Sequence, residues 1–246
     1  MEKLTTKNIT VSYEGTKTIE DISIKLNKGE IVSILGVSGV GKSTLFNVIS
    51  GLIKPDTGTV ELDGKDITNT TGNVSYMLQK DLLLPYKTII DNVSLPLVIR
   101  GEKQIKAREQ ASIYFEEFGL QGTENKYPNQ LSGGMKQRAA LLRTYLFSNQ
   151  VALLDEPFSA LDSITKSNMH QWYLNVMEQI KLSTFLITHD IDEAILLSDK
   201  IYIMSGKPGK ITDEIIIEDS KPRNKSFIVS ENFLKYKKRI LSELEG

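Results

Sequence analysis

The stretch Gly36-Val37-Ser38-Gly39-Val40-Gly41-Lys42-Ser43-Thr44 fits the pattern G-x-x-x-x-G-K-[ST]. Such a loop binds phosphate. Its glycines let successive backbone N–H groups converge on phosphate oxygens at a helix start, and Lys42 adds a point charge for the β- and γ-phosphates. The Ser43 hydroxyl is placed to ligate Mg²⁺, a hard cation that keeps most of its water and accepts few protein oxygens. A second anion-binding element lies in Leu131-Ser132-Gly133-Gly134-Met135-Lys136-Gln137-Arg138. There Ser132 can cap the helix 133–147 while Gly133 and Gly134 leave their N–H groups open. A helix N-terminus contributes only about 0.3–1 kcal/mol toward an anion, too little to hold a nucleotide alone, so this element is expected to complete a site begun elsewhere.

The elements around these residues have the required character. The apolar run 31–35 feeds the loop as a buried strand, and 42–49 leaves it as a helix. The N-terminal part, 4–62, is β-rich, with strands expected at 9–13 and 19–26 and turn signals at Asp56-Thr57-Gly58 and Asp63-Gly64. A short apolar strand, 74–78, ends at Gln79. Beyond it 89–100 and 103–118 read as helices and 121–130 as a polar loop, so that roughly 82–149 forms a helical subdomain. Strands at 151–155 and 183–188, separated by a helix over 163–180, return the chain to a parallel α/β core, and a β-hairpin follows at 200–204 and 211–217. The segment 220–246 is a basic tail ending in a helix, explained either as a solvated face or as a contact with anionic lipid. His170 falls in a polar helical stretch and is expected at the surface.

Composition excludes several function classes. The chain has 246 residues, 40% hydrophobic and 25% charged, which suits one compact unit with subdomains. A formal net charge of -1 offers no general attraction for nucleic acid. With no cysteine, neither disulfides nor a Cys-ligated metal site can form. No run of about 18 uncharged apolar residues is present, so any membrane pathway is expected on a different polypeptide.

The loop 36–44, the octapeptide 131–138 and Val151-Ala152-Leu153-Leu154-Asp155-Glu156-Pro157 together resemble the nucleotide-binding subunit of an ATP-binding cassette (ABC) transporter, over most of the chain. The resemblance implies an α/β fold with a P-loop NTPase core, an N-terminal antiparallel β subdomain and an inserted α-helical subdomain. It implies ATP and Mg²⁺ as ligands. It also implies a second ATPase subunit, expected as a homodimer, in which Ser132, Gly133, Gly134 and Gln137 of one copy meet the nucleotide held by the P-loop of the other. Tyr13 matches the aromatic that stacks on adenine, although a tyrosine in a strand is also simply a good strand former. Gln79 matches a residue that reaches Mg²⁺ or the attacking water. Asp162 lies in the matching loop, Ser159-Ala160-Leu161-Asp162, that crosses between subunits.

Within that frame Asp155 holds Mg²⁺ through water, and Glu156 accepts a proton from the attacking water as the catalytic base. His189, at the end of the strand 183–188, contacts the γ-phosphate and fixes Glu156. The segment Leu82-Leu83-Leu84-Pro85-Tyr86 is either core or the surface on which a transmembrane permease subunit docks. Residues 131–138, 77–85 and 187–194 look most like the importer ATPases of the nitrate, sulfonate and taurine group, which includes importers of thiamine-pyrimidine precursors. This implies a place on the cytoplasmic face of the membrane, with permease subunits and, indirectly, a solute-binding protein as partners. The alternatives are an efflux or lipoprotein-release ATPase and, from another enzyme class, a small-molecule kinase.

Overall fold

The computed structural model describes every residue except Asn149, Pro222, Asn224 and Gly246. The last residue of the expected helical subdomain and part of the basic tail therefore lie outside the described residues. The first layer is antiparallel. Strand β1 (Glu2–Tyr13) is flanked by β2 (Thr16–Ile22) and β5 (Thr57–Leu62), with β3 (Lys25–Asn27) also on β1 and β6 (Lys65–Asp66) on β5. The expected strand 19–26 is thus two strands. At Ser23 the chain leaves one part of β1 for another, with Ser23 accepting from the Asn8 N–H at 2.9 Å and the Ile24 N–H donating to Thr6 Oγ1 at 3.0 Å.

The second layer is a six-stranded sheet in the order β11-β10-β4-β9-β8-β7. Its members are β4 (Ile31–Leu35), β7 (Ser75–Met77), β8 (Val151–Asp155), β9 (Ser183–Thr188), β10 (Lys200–Ser205) and β11 (Lys210–Ile216). All neighbours are parallel except the terminal hairpin β10–β11. Every residue of β4, β8 and β9 is buried, as expected for apolar runs covered on both faces. Helix α1 (Lys42–Ile49) fills one side of this sheet toward the antiparallel layer. On the other side pack α2 (Ile89–Ile99), α3 (Gln104–Ser112), α4 (Gly133–Phe147), α5 (Ser163–Ile180) and α6 (Ile191–Leu197), followed by α7 (Lys225–Ile228) and α8 (Glu231–Glu245).

The helix expected over 103–118 ends as an α-helix at Ser112. Hydrogen bonds then tighten to the i→i−3 spacing, Tyr114 N–H to Ala111 and Phe115 N–H to Ser112, which turns Phe115 and Phe118 into the core. Among the described residues no helix is long and apolar enough to cross a membrane.

Candidate functional site

Strand β4 delivers the loop 36–41 and α1 carries it away, and the backbone there is dictated by close neighbours. A Cβ on Gly36 would overlap the Met204 carbonyl of β10, and one on Gly41 would overlap the Ile19 side chain of β2. Gly41 also caps α1 with a φ of 109°, a conformation costly for any side-chain-bearing residue. Val37, Ser38 and Gly39 face outward, whereas the Val40 side chain belongs to the core, leaving only its backbone for a ligand. Lys42 is held under the loop, donating to the Gly36 and Val37 carbonyls at 2.6 and 3.0 Å. Burial draws its ammonium below the ordinary lysine value, against the pull of Glu156 and Asp155.

At the end of β8 the two acids part company. Asp155 is buried and accepts from Ser43 Oγ at 3.0 Å and from the Tyr76 hydroxyl at 3.4 Å, both on Oδ2. Burial raises its carboxyl above the usual range and the Glu156 charge adds to this, while the Ser43 hydrogen bond opposes it. Glu156 sits at a φ of 47°, with its N–H on the Ile187 carbonyl of β9 at 3.0 Å. This left-handed turn sends its side chain to two others. Gln79 Nε2 donates to Oε2 at 3.3 Å, and His189 Nδ1 lies 3.1 Å from Oε1. Gln79 also reaches Ser159 Oγ at 3.4 Å. The ends of β7, β8 and β9 thus bring Gln79, Glu156 and His189 together, next to the Lys42–Ser43–Asp155 cluster.

A hydroxyl and a carboxylate already in contact form a donor set suited to Mg²⁺, which completes its shell with water and substrate phosphate. Among the described residues no group of three or more His, Cys, Asp or Glu is gathered in the manner of an all-protein metal site. Ser43 and Asp155 fit the ion that the sequence implies.

The remaining expected site residues lie elsewhere. Tyr13 ends β1, exposed, on a hairpin whose second strand abuts Gly41 through Ile19. Ser132 caps α4 by accepting from the Met135 N–H at 3.3 Å. A Cβ on Gly133 would touch Leu161, and one on Gly134 would touch Thr165 and Met169, so this glycine pair is seated on the start of α5. Among the described residues no hydrogen bond joins Ser132 to the loop 36–44. Asp162 caps α5, accepting from the Ile164 and Thr165 N–H groups at 3.1 and 3.0 Å.

Gln137 points inward from α4. It is buried among Met77, Leu141, Phe158 and Tyr173, one turn below the exposed start of α4, because position 137 falls on the face of α4 turned to the core. His170 is likewise not a surface residue. It is buried with its Nε2 3.1 Å from Glu193 Oε2, since α5 packs that face against α6. Leu83 is core, and it is Leu82 and Tyr86 that face outward.

Two functional neighbours escape sequence reasoning. Tyr76 looks like an ordinary strand tyrosine, and only the β7–β8 pairing puts its hydroxyl on Asp155. Arg143 of α4 donates to the Asp81 and Leu82 carbonyls, the latter at 2.8 Å, and so ties α4 to the segment after Gln79.

Residues 19–159 match the protein family described as ABC transporter. The chain is 47% identical to the formylaminopyrimidine import ATP-binding protein ThiZ of Halalkalibacterium halodurans, over 84% of this chain and 81% of that protein. It is 40% identical to the aliphatic sulfonates import ATP-binding protein SsuB of Bacillus cereus, over 93% of this chain and 89% of the relative. Among solved structures, a dimeric bacterial ABC transporter cassette superposes with a TM-score of 0.74 at 30% identity, covering 88% of this chain and all (100%) of the other.

Proposed function

Because the chain belongs to the ABC transporter family, as an ATP-binding and ATP-hydrolysing subunit, we propose that it powers solute import through separate permease subunits at the cytoplasmic face of the membrane. In this reading ATP lays its phosphates on the N–H groups of residues 36–44, with Lys42 against the β- and γ-phosphates and Tyr13 beneath adenine. Ser43, and Asp155 through water, would hold Mg²⁺ with Gln79 at its edge, and the bound ion would supply neutralisation of charge on those phosphates. Glu156 takes the proton of the attacking water, His189 holds the carboxylate in register, and Gln79 orients the water. Ser132, Gly133 and Gly134 come from a second copy of the chain and close over the γ-phosphate, while Asp162 lies at the crossing between copies. Turnover therefore requires two copies, and a solute-binding protein supplies the permease with cargo.

The observation that carries this reading is the position of Glu156, held on one oxygen by Gln79 and on the other by His189 beside the phosphate loop. Glu156→Gln is expected to retain ATP binding while steady-state phosphate release falls by about 10²–10⁴, the usual worth of a general base. Turnover near that of the parent protein would remove Glu156 from the role. Import itself is tested in cells whose only copy carries Glu156→Gln, by following uptake of labelled formylaminopyrimidine, aliphatic sulfonate and nitrate. Loss of one with the others retained identifies the solute, and retention of all three counts against import of this kind.

A further inference from the structure

Helices α5 and α6 meet through charged groups that the proposed chemistry does not use. Lys166 and His170 lie one turn apart on α5, and Asp190 and Glu193 are the cap and first turn of α6. Lys166 Nζ donates to Asp190 Oδ2 at 2.9 Å and stands 3.7 Å from Glu193 Oε2, the same oxygen that lies 3.1 Å from His170 Nε2. The other oxygen of Asp190 accepts from the Glu193 N–H at 3.1 Å, closing the first turn of α6. Glu193 and His170 are buried, their side chains only 3% and 8% exposed.

This cluster flanks both halves of the reacting pair without touching either. Asp190 directly follows His189, and its N–H donates to Thr188 Oγ1 at 3.0 Å, so the backbone on each side of His189 is fixed. On the other flank the His170 ring packs edge-on against Phe158, with centroids 5.0 Å apart, two residues beyond Glu156. Charges withdrawn from water are costly unless paired, and an apolar contact would hold two helices together equally well. What a fully paired cluster adds is a single relative geometry.

We infer that Lys166, His170 and Glu193 are positioning residues that keep His189 against Glu156 by locking the start of α6 to α5 and to the segment behind Glu156. In this role they act through other residues and contact neither the nucleotide nor the attacking water. Their effect is on the fraction of molecules in which the His189–Glu156 contact is made, hence on the rate of the chemical step and not on ATP binding. The inference rests on the reading of Glu156 and His189 as the reacting pair, and the experiment separates the two by observing the contact without turnover.

The chain has only two histidines, which makes the contact visible by nitrogen NMR of ¹⁵N-histidine-labelled protein. The nitrogen that carries the proton in a neutral imidazole is set by its hydrogen bond. His189 is expected to show the Nδ1–H tautomer, donating to Glu156, and His170 the Nε2–H tautomer, donating to Glu193. His189→Gln assigns the two patterns.

In Glu193→Gln and Lys166→Met, His189 should shift toward the mixed pattern of an unrestrained imidazole. Its kcat for ATP should drop about tenfold, with KM within about twofold. Lys166→Arg should restore both readouts, because it returns a cation to the two carboxylates. An unchanged His189 pattern, an altered pattern with unchanged kcat, or a loss confined to KM would each overturn the inference. Should Glu193→Gln not fold, Lys166→Met carries the test alone, since Lys166 is partly exposed and its removal strands less buried charge.

Discussion

Gly36 and Gly39 occupy the same loop for different reasons, and substitution separates them. A methyl at Gly36 meets the backbone carbonyl of Met204 and the Val40 side chain, neither of which can swing away. At Gly39, where φ is 81°, nothing lies within 4 Å, so only backbone strain opposes a side chain. Gly36→Ala should therefore cost about 1–3 kcal/mol of stability, the usual price of overpacking. Gly39→Ala should cost about 1 kcal/mol, the left-handed penalty. Denaturant unfolding of the two proteins checks the order, and equal losses would mean that the loop yields at Gly36. The glycine pattern itself is plain in the sequence, as is Ser132 as a cap, because both are local. Tyr76 and Gln137 are not local. Nothing in their neighbours along the chain distinguishes a tyrosine that ends on a carboxylate, or a glutamine that turns inward, from ordinary members of a strand and a helix.

Among the elements, strands with uninterrupted apolar runs and helices with clear caps are legible to within a residue, as at 31–35, 163–180 and 183–188. Those that shift do so where a tertiary contact overrides local pattern. The strand expected at 19–26 divides at Ser23 because β1 changes partner, and the helix expected at 103–118 tightens after Ser112 to bury two phenylalanines. His170 looks like a surface residue along the sequence because its buried partner, Glu193, lies on another helix. The α2–α3 pair shows how such a cross-link is tested. Arg108 of α3 grips Asp91 in the first turn of α2 with two hydrogen bonds of 2.8 and 2.9 Å. The Arg108 guanidinium, helped by Gln104 and Thr88, holds the Asp91 carboxyl at about 2, below its ordinary value of 3.8. A carboxyl depressed in the folded state contributes stability that is present above its unfolded value and is lost as pH falls through its folded value. Arg108→Ala is thus expected to be less stable than the parent by about 0.5–1 kcal/mol at neutral pH, since the arginine is half in solvent. The deficit should close as pH falls from about 4 to about 2. Urea unfolding across that range reads it directly, and a deficit independent of pH would assign the loss to packing of the arginine stem.

For the whole molecule, the proposed nucleotide site at one end of the sheet has to address a partner in the membrane. A largely apolar groove of about 460 Å³ opens between the end of α1 and the helices α2 and α4, with Leu52, Leu82, Pro96, Ile99 and Phe147 on its walls. Leu52, Leu82 and Ile99 are 62, 52 and 74% exposed and lie together on this one groove, a contiguous apolar surface of the kind that marks an interaction site. Two groups connect this groove to the site. Tyr76 lines it and also reaches Asp155, while Arg143 lines it and holds the carbonyls of the segment that begins at Gln79. A helix of the permease seated there would press on both. Leu83, inside the core, is the wrong residue to test this, because an aspartate there would unfold the segment and not the contact. Leu52→Asp combined with Ile99→Asp places charge only on the exposed walls. The double variant should keep its melting temperature and ATP binding while its share in the membrane pellet of lysed cells drops at least about tenfold, the effect of losing roughly 1.4 kcal/mol of association. If the pellet fraction does not change, the permease engages another face, and the exposed leucine and isoleucine side chains serve a different contact.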